Sequence, residues 1–427
     1  MRAMKDSGIA WIGEIPEEWN LRKIKYIFRI SSGTTPKSDN LEYWDGDIPW
    51  VTPADYKTEN EYIYHGRKFL SKAGLEAANL QLLPVNSIVL SKRAPIGAVA
   101  ITAAELTINQ GCIAGIPIDD CSVRYYYFIL SICTEQLNLL GSGTTFKELS
   151  AQDFGNFIVP TPDVAVQERI ADYLDRKCSQ IDAIIARQQE VIEKLKAYKL
   201  SVITEAVTKG LNPHAPMKDS GVEWIGEIPE QWETASISRV ATVVRGASPR
   251  PAGDPRYFNG QDVPWITVAE VTKDDGKYIF STESYLTKEG AECSRLVEKG
   301  TLLLSNSGAT LGVPKVTLIT GCINDGSVAF LDLNIEQMYL LYVFKSRTLE
   351  LRKQMQGYGQ PNLNTTIVKN IVVPLPHPDE QKSISEYLDK RCKAIDDTIE
   401  MKEKVVERLS EYKKSLIYEV VTGKEEV

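Results

Sequence analysis

Two long stretches of the chain carry apolar residues at alternating intervals of four and three, the spacing of a helix that packs along one seam. The seam positions of the first stretch are Leu174, Cys178, Ile181, Ile185, Gln188, Ile192, Leu195, Lys199 and Val202. Those of the second are Leu388, Cys392, Ile395, Ile399, Lys402, Val406, Leu409, Lys413 and Leu416. The spacing predicts coiled-coil helices over residues 167–208 and 381–422. At 1.5 Å per residue each would reach roughly 60 Å and act as a spacer.

The remaining sequence has a different pattern. Short apolar runs rich in β-branched residues, separated by Gly, Pro and Asn clusters, predict short strands. Four of these runs are Ser87–Leu90, Ala98–Thr102, Thr301–Leu304 and Ile371–Val373. Residues Tyr125–Leu139 and Ile335–Arg352 are predicted to be helical. Helices and strands mixed in this way predict an α+β fold.

An internal repeat organises these elements. Met4–Trp19 and Met217–Trp232 are identical at 13 of 16 positions, and the two helical stretches agree at 19 of 42 without a gap. Between them Ile48–Thr52 matches Val263–Thr267, whereas most of the middle of each copy diverges. Because Pro pairs and a Pro-rich linker bound the helices, we predict four segments. They are a first globular domain over 1–160, a helix over 161–210, a linker and second domain over 211–376, and a helix over 377–427.

Composition narrows the class of protein. No stretch approaches the roughly 18 consecutive apolar residues that span a bilayer, and Met1–Trp11 lacks the apolar core of a signal peptide. Seven cysteines without a CxxC pair are typical of free thiols, so we expect a cytoplasmic protein without membrane contact. The formal net charge is −8, and neither globular segment is basic overall. A nucleic-acid surface would therefore have to be a local basic face.

Catalytic and metal-binding patterns are sparse. Of the three histidines, His214 and His377 lie beside prolines in linkers, and His65 has no histidine at the matching position of copy two. The sequence has no nucleotide-binding, zinc-protease or amino-methyltransferase motif. A nuclease using Asp262 or Asp325 is an alternative, but neither pairs with a second acidic residue and a lysine in a recognisable spacing. Cys178 and Cys392 are best interpreted as small seam residues. We expect no catalytic, cofactor-binding or metal-binding residue on this chain.

The divergent loops carry the residue types that reach base edges and phosphates. Gly33–Lys37 corresponds to Gly246–Arg250, a loop that ends in a cation in both copies. Two further pairs of loops differ more, namely Ser91–Arg93 with Ser305–Ser307 and Gly141–Lys147 with Gly357–Asn364. Singly, each is more typical of an ordinary solvated turn. Together they indicate that the two copies bind two different halves of a DNA sequence. A coiled-coil adaptor with two peptide- or sugar-binding domains is an alternative that would also have divergent loops.

Each helix opens with a proline pair, a glutamine and two apolar residues at fixed intervals. The residues are Pro160, Pro162, Gln167, Ile170 and Leu174 in copy one, and Pro374, Pro376, Gln381, Ile384 and Leu388 in copy two. This pattern and the order of the repeated segments resemble the DNA-specificity subunits of type I restriction-modification enzymes over essentially the whole chain. That family usually has Glu before the Gln. Copy two keeps it as Glu380, whereas copy one has Val166, a difference expected to affect only a local contact.

The resemblance implies two target-recognition domains, each lying against one half of a bipartite asymmetric site on double-stranded DNA. Two long antiparallel helices would hold them apart in a pseudo-two-fold arrangement. It further implies two modification subunits, which methylate adenine from S-adenosylmethionine, and, where one is present, a restriction subunit that uses ATP and Mg²⁺. The chain itself would be non-catalytic and hold no cofactor.

Within that framework the polar residues of the divergent loops become candidate DNA contacts. Lysines would mainly contact phosphate, whereas Arg and Asn can bind guanine and adenine through two hydrogen bonds. The candidates are Lys37, Lys92, Arg93 and Lys147 in copy one, and Arg245, Arg250, Asn306, Gln360, Asn362 and Asn364 in copy two.

Overall fold

The computed structural model describes residues 2–56, 61–93, 95–118, 120–142, 147–308, 310–354 and 363–427. It forms two compact units. One comprises the chain up to Gln189 together with Lys404–Val427, and the other comprises Glu190–Glu403. Each unit contains one globular domain and a part of each long helix, so the units cut across the four segments predicted from sequence.

The first domain contains twelve strands, four short α-helices and three 3-10 helices among the described residues. The strands are β1 (Met4–Asp6), β2 (Glu14–Pro16), β3 (Asn20–Lys23), β4 (Phe28–Ser32), β5 (Trp44–Val51), β6 (Tyr62–Ile63), β7 (Lys68–Leu70), β8 (Ile88–Lys92), β9 (Ile96–Thr102), β10 (Thr107–Ile108), β11 (Cys112–Pro117) and β12 (Ile158–Thr161). The helices are α1 (Lys72–Ala77), α2 (Val123–Ile132), α3 (Thr134–Leu140) and α4 (Ala151–Asn156). The long helix α5 (Val164–Lys209) follows.

The second domain repeats this order nearly element by element. Its strands are β13 (Met217–Asp219), β14 (Glu227–Pro229), β15 (Glu233–Ser236), β16 (Thr242–Arg245), β17 (Phe258–Ile266), β18 (Tyr278–Ile279), β19 (Tyr285–Leu286), β20 (Arg295–Val297), β21 (Leu302–Ser305), β22 (Pro314–Thr317), β23 (Gly321–Ile323), β24 (Ser327–Leu331) and β25 (Val372–Leu375). Its helices are α6 (Ile237–Val240), α7 (Val268–Thr272), α8 (Lys288–Glu292), α9 (Gln337–Gln354) and α10 (Thr365–Asn370), and the long helix α11 (Pro378–Val421) follows. The α+β prediction is confirmed, and so are the four strands and the helix predicted over Ile335–Arg352, each within a few residues. The stretch Tyr125–Leu139 is helical as predicted, but it is divided at Cys133 into α2 and α3.

A five-stranded sheet forms the centre of each domain. Its strand order is β4-β11-β8-β9-β6 in the first domain and β16-β24-β21-β22-β18 in the second. The pairs are antiparallel except for β6 with β9 and β18 with β22, which are parallel. A smaller sheet is built around β5 in one domain and β17 in the other. The divergent middles of the repeat therefore share one topology.

The central strands are buried on both faces, so their runs of apolar residues show no alternation. One face packs against α2 or α9, where buried aromatic side chains fill the core. Tyr125 Oη donates to the Pro160 and Val421 carbonyls at 3.3 and 3.1 Å. Tyr339 Oη donates to the Pro374 and Val207 carbonyls at 3.3 and 3.0 Å. In both units a buried tyrosine thus joins the domain core to the end of a long helix.

The glutamine of the repeated helix opening is buried in both copies. Gln167 accepts from the Ser122 amide at 3.0 Å and donates to the Pro162 carbonyl at 2.8 Å. Gln381 accepts from the Glu336 amide at 2.7 Å and donates to the Pro376 carbonyl at 2.8 Å. One side-chain amide therefore satisfies a backbone donor on the domain and a backbone acceptor before the helix, which explains the fixed spacing from proline to glutamine.

The seam of the long helices is confirmed, since every seam position is buried or half-buried. Within each unit the two helix stretches run antiparallel. Arg169 reaches the Val427 carbonyl and Asp182 reaches Lys413 in the first unit. Lys199 Nζ lies 2.7 Å from the Asp396 carboxylate in the second unit, as Lys413 Nζ lies 2.6 Å from that of Asp182 in the first. The same ion pair therefore occurs in each unit. Its lysine belongs to α11 in the first unit and to α5 in the second.

Candidate nucleic-acid interface

The loop Gly33–Lys37 passes directly over the four-residue turn Asn109–Cys112. Gly33 lies so close to the Ile108 and Asn109 carbonyls that a Cβ atom there would collide with both. In the second domain a Cβ on Gly246 would collide in the same way with the Ile323 and Asn324 carbonyls. The glycine is therefore required by this close approach in both copies.

The turn beneath the loop has the same structure in both domains. The Cys112 amide donates to the Asn109 carbonyl at 3.0 Å, and the Ser327 amide donates to the Asn324 carbonyl at 3.1 Å. These are hydrogen bonds between the first and fourth residues of a β-turn. The second residue of the turn is Gln110 in one domain and Asp325 in the other.

The loop after the central strand lies beside this turn. The amides of Lys92 and Asn306 each donate to the carbonyl of the turn glycine, Gly111 or Gly326, at 2.9 Å in both domains. The preceding serine closes the loop, since Ser91 Oγ donates to the Pro95 carbonyl at 2.7 Å and Ser305 Oγ to the Thr310 carbonyl at 2.8 Å.

Described residues beside or within the third divergent segment join the same group of loops. The Leu149 amide donates to the Lys92 carbonyl at 3.0 Å, and the Leu363 amide donates to the Asn306 carbonyl at 2.7 Å. The structure thus brings together, at one end of each domain, the described residues of 33–37, 91–93, 109–112 and 147–149 in the first domain and of 246–250, 305–308, 324–327 and 363–364 in the second. We call each group the loop cluster of its domain.

The four candidate cations of the first domain all belong to its loop cluster. Lys37 and Lys147 are exposed, and neither side chain has a partner among the described residues. Arg93 is half-buried. Lys92 is mostly covered, with its Nζ 2.7 Å from Glu148 Oε1, so this lysine pairs within the protein.

The candidates of the second domain differ more in their placement. Arg245 and Arg250 are exposed. Asn306 is fully buried, and neither amide atom has a hydrogen-bond partner among the described residues, so its side chain is out of reach of an external base in this conformation. Asn364 caps α10, with its Oδ1 accepting from the Ile367 amide at 2.9 Å. Gln360 and Asn362 lie outside the described residues.

Four polar residues of the loop clusters were not among the candidates. Thr35 Oγ1 donates to Gln110 Oε1, and Ser248 Oγ donates to Asp325 Oδ1 at 2.6 Å. Asp325 also binds both candidate arginines. Its carbonyl accepts from Arg245 Nε at 2.9 Å, and its Oδ2 lies 3.4 Å from Arg250 Nη2. The sequence signal that could have found Gln110 and Asp325 is the string Ile-Asn-x-Gly, present as Ile108–Gly111 and Ile323–Gly326 with only its third residue changed.

Aromatic side chains support the first loop from below. Trp50 Nε1 donates to the Thr34 carbonyl and Trp44 Nε1 to the Lys37 carbonyl, both at 3.2 Å. The two rings pack edge to face with centroids 5.1 Å apart. Phe258 and Trp265 form the equivalent pair in the second domain at 6.2 Å. The loop is therefore held in place before any ligand arrives.

The turn of the first loop cluster contains one cysteine, Cys112. Burial raises the pKa of Cys112, which belongs to the first turn, to about 12, so this thiol stays protonated and a poor nucleophile at neutral pH. Across the described part of the chain no group of three His, Cys, Asp or Glu side chains could hold a metal ion. In that same part no helix is long and apolar enough to cross a bilayer.

The family model and the curated relatives that match this chain all belong to one family. The model of the type I restriction modification DNA specificity domain matches the chain twice, over residues 16–194 and 229–408. The MjaIX type I restriction enzyme specificity subunit of Methanocaldococcus jannaschii is 30% identical over 390 residues, covering 87% of this chain and 86% of that protein. The EcoR124I/EcoR124II specificity subunit of Escherichia coli is 26% identical over 197 residues, covering 44% and 47%.

Solved structures share the fold. A chain described in work on complex assembly and conformational transition of the type I R-M system has a TM-score of 0.74 at 15% identity, covering 95% of this chain and 98% of that one. The HsdS subunit from Thermoanaerobacter tengcongensis has a TM-score of 0.50 at 16% identity, with 96% and 98% covered. At these identities the likeness concerns architecture alone.

Proposed function

Because this chain belongs to the family of type I restriction modification DNA specificity domains, we propose that it reads a bipartite, asymmetric DNA site with one domain per half-site. The loop clusters carry the proposal. They place divergent polar loops on the same repeated framework, at the same end of each domain. The two domains share one backbone framework but present different side chains, which suits the recognition of two different target sequences.

DNA would be contacted by the exposed and half-buried cations of the clusters. Lys37 and Lys147 suit phosphate, because a lysine acts on it as a point charge. Arg93, Arg245 and Arg250 suit either phosphate or guanine. Lys92 and Asn364 have partners within the protein and would act mainly by holding the loops in place.

Catalysis in this proposal belongs to partner subunits. Two modification subunits would dock on the repeated segments and methylate adenine from S-adenosylmethionine, and a restriction subunit with ATP and Mg²⁺ would join where the system includes one. The repeated surfaces support two equivalent partners, since each docking segment occurs twice. The specificity subunit would hold no cofactor and act in the cytoplasm.

The deciding experiment uses the chain co-expressed with a modification subunit. Selection on randomised DNA should yield two short defined sequences separated by a fixed undefined spacer. Binding should weaken steeply with salt, because contacts to Z phosphates give a slope of log K against log[salt] of about −0.9Z. Selection of no sequence together with a flat salt dependence would show instead a scaffold for peptides or sugars.

A further inference from the structure

We propose that the turn in each loop cluster presents the group that determines one base pair of its half-site. Gln110, the second residue of the first turn, would read an A·T pair directly. Arg245, held by the backbone carbonyl of Asp325 at the same place in the second turn, would read a G·C pair. The inference rests on the proposed function, and it names one specificity-determining position in each half-site.

The turn is a suitable position because everything around it is fixed. The Asn109 amide donates to the Val51 carbonyl at 2.9 Å, and the Asn324 amide donates to the Ile266 carbonyl at 3.2 Å, so each turn is bonded to the smaller sheet. The flanking Ile, Asn and Gly are the same in both copies. Loops of divergent sequence cover the turn from two sides. The same turn backbone therefore presents different chemistry in the two domains, the Gln110 side chain in one and the bound Arg245 in the other.

In the first domain the turn presents an amide of fixed orientation. Gln110 is exposed, and the hydroxyl of Thr35 donates to its Oε1. Its Nε2 donates to none of the residues that the structure describes. A side-chain amide with a free NH₂ group and a second lone pair on oxygen matches the N7 acceptor and N6 donor of adenine in the major groove.

In the second domain the turn presents a guanidinium instead. The Asp325 carbonyl accepts from Arg245 Nε at 2.9 Å, which leaves the two Nη atoms of Arg245 without a partner in the described part of the chain. These form the end of the fork that binds guanine O6 and N7. The Asp325 carboxylate accepts from Ser248 Oγ at 2.6 Å, which fixes this residue as Thr35 fixes Gln110.

Gln110→Glu tests the first domain. The glutamate still accepts from Thr35 but loses the NH₂ donor, and a carboxylate accepts from cytosine N4 rather than pairing with adenine. In selection on randomised DNA with the complete complex, we expect one position of one half-site to move from A·T to C·G, with preference for adenine falling about 5- to 150-fold. Gln81→Glu is the control, because Gln81 is an exposed glutamine with no described contact to the cluster.

Arg245→Lys tests the second domain. It keeps the positive charge and therefore the salt slope, but removes the fork, so preference for guanine at one position of the other half-site should fall about 5- to 150-fold. Arg239→Lys, an exposed arginine on α6, is the matched control. Melting temperatures of all four variants identify any that fail to fold, in which case Gln110→Ala and Arg245→Gln take their place.

The outcomes separate this inference from the proposed function. If the wild-type complex selects a bipartite site and both variants select the same bases, the turn does not read DNA and the inference is overturned. A uniform loss of affinity for all sequences would also overturn it, since that identifies phosphate contacts. If the wild-type complex selects no sequence at all, the proposed function itself fails.

Discussion

Trp19 and Trp232 occupy the same position of the repeat, but only one of their indole N–H groups has a described partner. Trp232 Nε1 donates to Glu380 Oε2 at 2.8 Å. Copy one has Val166 where copy two has Glu380, and the buried Trp19 Nε1 has no partner among the described residues. The local contact that differs at Val166 is thus one hydrogen bond to the indole N–H.

Val166→Glu should supply the missing acceptor. Because a net buried hydrogen bond contributes about 1 kcal/mol, we expect the free energy of unfolding to rise by about that amount and the melting temperature to increase. The reverse change, Glu380→Val, should lower stability by about 1–3 kcal/mol, since it leaves the Trp232 N–H buried and unpaired. Equal destabilisation by both changes in thermal denaturation would contradict this account.

Glu61 introduces a pH dependence at a single residue. Burial, followed by repulsion from the nearby Asp175 carboxylate, raises its pKa from 4.5 to about 7, and Arg124 only partly opposes this. A carboxyl group whose pKa is raised by folding favours the folded state below its unfolded pKa, and that contribution is lost as pH rises to the folded pKa. Stability should thus decline between about pH 4.5 and 7 on account of this group.

Glu61→Gln should remove that decline. The variant should melt at a higher temperature than the wild type above pH 7, and the difference should shrink toward pH 4.5. Melting curves across this range test the sign directly, with the exposed glutamate variant Glu105→Gln as the control. A difference that is constant with pH would rule out the titration of Glu61 as its cause.

At the scale of elements, the sequence was most informative where structure is set locally. The long helices were predicted closely, because a seam repeated over many turns and a proline pair before it are properties of neighbouring residues. The loop contacts were not predictable in this way. Thr35 contacts Gln110 across 75 residues of sequence, and the buried Asn306 bonds through its backbone to Gly326 and Leu363, which are distant in sequence. Asn364 could have been identified, since Asn before a helix is a typical cap.

The ion pair in each half of the seam provides a test at this scale. The Lys199 side chain is 17% exposed and that of Asp396 is 52% exposed, so their attraction is only partly screened. A double-mutant cycle with Lys199→Ala and Asp396→Ala should give a coupling energy of about 0.5–1 kcal/mol. The pair Lys393–Asp397, exposed at 73% and 53%, is the control and should couple more weakly. A larger coupling in the exposed pair would show that the seam position has no special effect.

At the scale of the whole molecule, the proposal requires the two half-sites to be read independently. Arg93→Ala changes one loop cluster only, so it should relax base preference in one half-site by about 1–3 kcal/mol, or weaken binding there if Arg93 contacts phosphate. Lys37→Ala should instead leave base preference intact and reduce the salt slope by about 0.9. Selection on randomised DNA at several salt concentrations separates the two. An equal effect of Arg93→Ala on both half-sites would contradict one domain per half-site.

The repeated segments Met4–Trp19 and Met217–Trp232 each lie against the end of a long helix. Trp232 packs on Gly210, at the end of the helix that directly precedes it in the chain. Trp19 packs on Gly423, at the end of the helix that closes the second repeat. The helix of each repeat thus packs against the opening segment of the other repeat. The succession of these contacts is therefore cyclic, although the polypeptide is linear. In such an arrangement neither repeat is first, and a gene with the two repeats exchanged would encode the same set of contacts with its half-sites in the opposite assignment.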